Sequence, residues 1–123
     1  GCDVPFQYLL TNLVVDAPGA QGAVFVDPEG EAVDFVARRT TPYELKLEGA
    51  YHGIFLRRAG QLARLVGAGD LIQVSISGRS MQAMGVVLRA GYYLVLVLEP
   101  GAPASVAAAA MRRAAEALNA EIA

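Results

Sequence analysis

The sequence predicts an α+β fold: a five-stranded antiparallel sheet with helices on both faces. Three observations predict it. Five short strand-like runs are joined by turn-length connections, first as a hairpin and later as a three-strand meander, and such connections make antiparallel neighbours. Two of those runs, GAVFVD at 22–27 and YYLVLVL at 92–98, are apolar on both sides, so they belong together in mid-sheet with cover above and below. Three runs of helical period, at 4–16, 41–66 and 104–122, supply that cover. The order is α-β-β-α-β-β-β-α. The first and last helices are expected on one face and the long middle helix on the other. At 123 residues the chain is expected to be one domain, 1–123, long enough for a real core.

Each element has its own signal. In VPFQYLLTNLVVD, Phe6, Leu9, Leu10, Leu13 and Val14 make one apolar helix face, and Asp16 to Gly19 break the chain. Asp27-Pro28-Glu29-Gly30 places proline second in a β-turn. The following strand, 31–39, sets Val33, Phe35 and Ala37 on one side, while Asp34 and Arg38 suit a sheet edge. Ile72, Val74 and Ile76 alternate with Gln73, Ser75 and Ser77 in the next strand. Gly78 to Ser80 turn the chain into Met81–Arg89, where Gly85 suggests a bulge. Ala90-Gly91 is a tight turn. Pro100, Gly101 and Pro103 precede an alanine-rich helix whose packed side is Val106, Ala110, Met111, Ala114, Leu118 and Ile122.

The middle helix carries the most information. Thr41, Pro42 and Glu44 form a capping box with proline at the first helical position, and Gly67-Ala68-Gly69 ends the run. At about 100° per residue, Leu45, Gly49, His52, Leu56, Ala59, Gly60 and Ala63 share one side. Leu47, Tyr51, Ile54, Phe55, Leu62 and Leu65 lie roughly opposite. Lys46, Ala50, Arg57, Gln61 and Arg64 occupy a narrow polar stripe between them. A surface helix normally buries one stripe; here two faces want cover, and one sheet covers one. Gly49, Gly53 and Gly60 each cost about 1 kcal/mol of helix propensity against alanine. Close approach of another backbone, such as the same helix of a second copy, would offset that cost.

Composition excludes several functions. A net charge of −2 argues against nucleic acid as a partner. Charge is unevenly spread: residues 1–37 carry six acids and no Lys or Arg, whereas residues 49–98 carry five arginines and one acid, Asp70. Such a dipolar chain can meet a partner by charge. Cys2 is the only cysteine, so no internal disulfide forms, which suits a reducing compartment. There is no secretory signal and no apolar span of membrane length, so a cytoplasmic protein without membrane insertion is expected.

No catalytic constellation is visible. The phosphate-binding pattern G-x-x-x-x-G-K-[ST] is absent, and the G-x-G at Gly67 and Gly69 runs into Ile72 and a strand. Gly78-Arg79-Ser80-Met81-Gln82 lacks the second glycine of a nucleophile elbow. Asp27 and Glu29 suit a turn better than an acid–base pair. Cys2 and His52, the sole histidine, fall short of the three or four ligands zinc requires. No cofactor, metal or intrinsic enzyme activity is expected.

The order of elements resembles the roadblock/dynein light chain family. So do GAVFVDPEGEAV, the helix end RRAGQLARL, the strand YYLVLVLEP and the last helix AMRRAAEALNAEI, together spanning about residues 4–122. The resemblance implies strand order 2-1-5-4-3 and homodimers made through the middle helix and the third strand. It also implies a non-catalytic scaffold in signalling, polarity or motility that binds a small Ras-like GTPase or another roadblock subunit, as the bacterial polarity-GTPase activator does. On that basis the dimer interface is expected at Leu45, Gly49, His52, Gly53, Leu56, Ala59, Gly60 and Ala63, with Ile72, Val74 and Ile76 of the third strand. Lys46, Arg57, Gln61 and Arg64 are the candidate partner-binding set. Any effect on a GTPase would be regulatory. The alternative is a small-molecule sensor domain of profilin, PAS or GAF type, which needs a pocket with convergent polar groups; Gln73, Ser75 and His52 are the candidates the sequence offers.

Overall fold

The computed structural model describes residues 5–122; Gly1 and Cys2 lie outside them. Its sheet is antiparallel throughout, in the order β2-β1-β5-β4-β3. The strands are β1 (Ala20–Val26), β2 (Ala32–Ala37), β3 (Gln73–Ser77), β4 (Gln82–Val87) and β5 (Tyr93–Leu98). Helices α1 (Pro5–Asp16) and α3 (Ala104–Glu121) pack on each other and on one face, and α2 (Pro42–Leu65) covers the other. The fold class and strand order are those expected.

Strands β1 and β5 sit side by side at the centre, and every residue of β5 is buried. Their alternation divides the core in two. Phe25, Leu94, Leu96 and Leu98 point to α1 and α3, where they meet Leu10, Leu13, Met111 and Leu118. Val24, Val26, Tyr93, Val95 and Val97 point to α2, where they meet Leu45 and Leu56. Each fully buried side chain of this size contributes about 1.5–3 kcal/mol relative to exposure. The doubly apolar runs are thus explained by a helix layer on each side.

The ends of α2 follow from local chemistry. The Thr41 side chain accepts a hydrogen bond from the Glu44 backbone N–H at 3.1 Å, satisfying one of the helix's free donors. At the other end the Ala68 N–H donates to the Ala63 carbonyl and the Gly67 N–H to the Arg64 carbonyl. Those two bonds, with Gly67 at φ 76°, make a Schellman stop. The Asp27–Gly30 turn is held similarly: Asp27 Oδ1 accepts from the N–H groups of Glu29 and Glu31.

Three local expectations are corrected. A bulge shifts the β1–β2 register between Phe25 and Val26, so Val33 loses its place beside Phe35 and stands 44% exposed. Gly85 marks no bulge. It pairs regularly with Val74 and Val95, and an added Cβ would sit 3.4 Å from the His52 ring and 3.5 Å from Leu56, so its bareness makes room for α2. On α3, Val106 is exposed, and Ala107 takes its place in the core. Two surface arginines find carboxylate partners: Arg39 donates to Glu99, and Arg113 lies 3.9 Å from Asp16. Exposed pairs of this kind add at most about 1 kcal/mol each.

The turn between β4 and β5 holds strain. Ala90 has φ 58° and ψ 26°, a left-handed conformation, and Gly91 follows at φ 83°. Two successive positive φ angles make the hairpin turn type that favours Asn-Gly. Asn119 of α3 steadies this turn, its side-chain oxygen accepting from the Arg89 N–H at 2.9 Å. Alanine in this region costs about 1–2 kcal/mol, whereas asparagine tolerates it. Ala90→Asn is therefore expected to stabilise the protein by about 0.5–1 kcal/mol. Urea unfolding would show this as a higher midpoint at unchanged slope; an unmoved midpoint would mean the turn carries no such strain.

Candidate functional site

Helix α2 crosses its sheet diagonally, meeting β1 and β2 with its first half and β3 to β5 with its second. The small residues allow close contact. A Cβ on Gly49 would come within 3.1 Å of Val24, and one on Gly53 would run into the Tyr93 hydroxyl. The Tyr93 hydroxyl donates to the Gly49 carbonyl oxygen at 2.9 Å, pinning helix to strand. His52 is also enclosed. Its Nδ1 lies 3.1 Å from the Glu48 carbonyl oxygen, which can only accept, so that nitrogen carries the proton. Its Nε2 is buried with no hydrogen-bond partner among the described residues.

The structure therefore turns the helix differently from the expectation. Leu45, Gly49, His52, Gly53 and Leu56 are buried against the chain's own sheet and are not free surface. Ala59, Gly60 and Ala63 are half-buried along the same side. On β3, Val74 is half-buried, while Ile72 is 75% and Ile76 39% exposed. The outward side of α2 is the one carrying the large apolar residues. Tyr51, Ile54, Phe55, Leu62 and Leu65 are all exposed, Leu65 by 83%. Phe55 packs edge-on against the His52 ring at 5.7 Å and leaves its other side open. Beside this face, β3 pairs among the described residues only with β4, which leaves its second edge unpaired there.

The polar stripe divides as well. Lys46 stacks its ammonium 5.0 Å from the ring centre of Phe35 on β2. Arg57 and Arg64 are exposed on the opposite half of the helix and, with Gly60, line a groove of about 450 Å³. Gly53 and Leu56 of the helix, Val87 and Tyr93 of the sheet, the Asp70–Leu71 segment and the two sheet turns, at Pro28 and Gly91–Tyr92, complete it. Gln61 is exposed but does not line it. Of the polar residues expected in a sensor pocket, Gln73 and Ser75 lie exposed on β3, hydrogen-bonded to each other at 3.1 Å, and His52 is outside the groove. The groove was missed in the sequence; Gly60, a helix glycine without a packing role, was its one available signal.

Among the described residues no group of three or more His, Cys, Asp or Glu could hold a metal ion. No helix there is long and apolar enough to cross a membrane.

No family model matches the chain, and no curated protein does. Solved structures do. A Roadblock/LC7 domain from Streptomyces avermitilis superposes with a TM-score of 0.79 at 20% identity, covering 93% of this chain and 94% of that one. MglB of Myxococcus xanthus gives 0.85 at 16% identity over 98% and 96%. An MglB solved with a tetrameric arrangement gives 0.85 at 22% identity over 94% and 86%. The chain has the roadblock/LC7 fold.

The Tyr93 contact yields a test of how tightly α2 is seated. Burial raises the Tyr93 pKa; Arg57 pulls it down and Asp27 pushes it up. The protonated phenol is thus favoured on folding. Its contribution is complete below the ordinary tyrosine value of about 10 and is lost as pH rises through the raised folded value. Tyr93→Phe is expected to cost about 1 kcal/mol near neutral pH and to flatten the alkaline fall in stability. Gly53→Ala alone is expected to cost about 1–3 kcal/mol by overpacking. In that background Tyr93→Phe should cost less or even stabilise, since it removes the closest clash, although ring carbon Cζ at 2.9 Å remains. Denaturant unfolding of the four proteins measures the coupling; strict additivity would show that the two side chains do not share the space.

Proposed function

We propose that this chain is a non-catalytic, homodimeric scaffold or regulatory protein that binds a small Ras-like GTPase or another roadblock subunit. The observation that carries the reading is the outward face of α2. Five large apolar side chains there are exposed in one continuous helix, next to an unpaired strand edge with Ile72 and Ile76 exposed. Exposed apolar patches of that extent mark interaction surfaces. A twofold pairing supplies cover economically: β3 would meet its own copy edge to edge, and the two α2 helices would pack across the axis. The side chains meeting there are Tyr51, Ile54, Phe55 and Leu62, flanked by Ala59 and Ala63 and by Ile72, Val74 and Ile76 of β3. Leu45, Gly49, His52, Gly53 and Leu56 support this surface from beneath.

The fold shared with two MglB structures, one of them in a tetrameric arrangement, supports assembly from roadblock subunits. The GTPase reading draws on the resemblance of the sequence and on the exposed cations Arg57 and Arg64, with Lys46 and Gln61 on the same stripe. Those side chains would face an acidic surface and position it, without chemistry of their own. A cytoplasmic location accords with such a partner.

Light scattering coupled to gel filtration is expected to give the mass of a dimer, with an interface burying more than about 1,000 Å². Phe55→Arg and Leu62→Arg should yield folded monomers, because each places a charge in the apolar seam without touching the core. Leu56→Arg would test folding instead, since Leu56 is 6% exposed and packs on the sheet. A wild-type monomer, or dimers that survive both outward substitutions, would overturn the dimer. For the partner, pull-down against Ras-like GTPases loaded with GDP or GTP should show binding that favours one state and weakens in Arg57→Glu with Arg64→Glu. Absence of binding in both states would overturn that half of the proposal.

A further inference from the structure

The groove beneath the second half of α2 has three features that the packing of the chain leaves unexplained. Arg57 and Arg64 both line it, and no carboxylate among the described residues is within ion-pair distance of either. Gly60 stands between them on the helix. Unlike Gly49, Gly53 and Gly85, it makes room for nothing inside the chain: an added Cβ would meet only Leu71, at an ordinary 3.8 Å. A helix glycine that alanine could replace without a clash gives up helix propensity for no internal return. The third feature is the wall. Leu71 and Tyr92 offer apolar and aromatic surface, and Asp70 places one carboxylate at the mouth.

We propose that this groove binds a small organic anion that carries one anionic group on a planar, apolar body. Residues seven apart on a helix are separated by about 10 Å along its axis, and arginine side chains are long enough for both guanidiniums to converge on a point between them. That point is the bare surface of Gly60, where the missing side chain admits a carboxylate or phosphate. The planar body then lies against Leu71 and Tyr92. Asp70 accepts a hydrogen bond from a donor at the ligand's far end and repels a second anionic group, so polyanions are disfavoured. A volume of about 450 Å³ is within the range of small-molecule sites. The groove is complete within one chain, so the inference does not rest on the dimer. Because Arg57 and Arg64 also belong to the proposed partner stripe, such a ligand and an acidic partner would compete.

Two bipartite probes represent the class: AMP, ending in phosphate, and indole-3-acetate, ending in carboxylate. Their halves, inorganic phosphate, adenosine and acetate, serve as controls. Titrated into the full chain and followed by amide NMR, at least one bipartite probe is expected to saturate with a Kd of about 1 mM or tighter. It should move the resonances of Gly53, Gly60 and Gly91. Arg64→Gln should weaken that binding about tenfold, the loss of one charge-assisted contact. Gly60→Ala should weaken it while leaving thermal stability equal or higher, which separates binding from folding. Saturation by neither probe overturns the proposal. So does phosphate or acetate binding as tightly as its bipartite counterpart, which would leave a bare-anion site, or binding that Arg64→Gln leaves unchanged.

Discussion

The close seating of α2 on its own sheet is the constraint on which the other surfaces depend. Gly49 lets the helix settle onto Val24 and Val26, Gly53 leaves room for the Tyr93 hydroxyl, and Gly85 receives His52 and Leu56 from the strand side. The Tyr93 hydrogen bond to the Gly49 carbonyl then fixes the rotation of the helix about its axis. Once that rotation is set, Ile54, Phe55 and Leu62 must face outward, and Arg57 and Arg64 must flank the turns at one end of the sheet. A rotation of one residue's arc would bury a different set. The helix thus shows that small residues at a helix–sheet contact decide what the opposite side of the helix offers to others.

Most of the architecture was legible because its signals are local and periodic. The uninterrupted apolar runs VFV and LVLVL placed β1 and β5 in mid-sheet, and Thr41 and Gly67 marked both ends of α2. The rotation of α2 was not legible. Both of its sides are apolar, so periodicity gave two candidate inward faces and no means of choosing. Its glycines announced close approach but not of what, and for Gly49 and Gly53 the neighbour proved to be the chain's own strands. The bulge at Val33 was hidden for a related reason: an extra residue leaves the alternation intact on each side of it. The groove is built from four separate segments, from Pro28 to Tyr93, which no pattern within one segment could join.

Charge and apolar surface are partly separated on α2. Arg57 and Arg64 stand over the end of the sheet that carries its turns, whereas the exposed aromatic and aliphatic residues lie on the outward side with Arg58 among them. This arrangement would let one helix serve two kinds of contact. Apolar burial is insensitive to ionic strength, and the arginine contacts weaken as salt screens them. Raising salt would therefore be expected to release charged partners while leaving an apolar association in place.

The two margins of the sheet are not equivalent. At β2 the irregular pairing around Val33 bends the strand, and Asp34 and Arg38 stand on or beside it, features that discourage a further strand from adding there. At β3 the ladder is regular, and its outer row of backbone groups is open. A sheet with one discouraged margin and one open margin would join a copy of itself only once. Growth by this route would end at two molecules, a closed pair instead of an extending fibre.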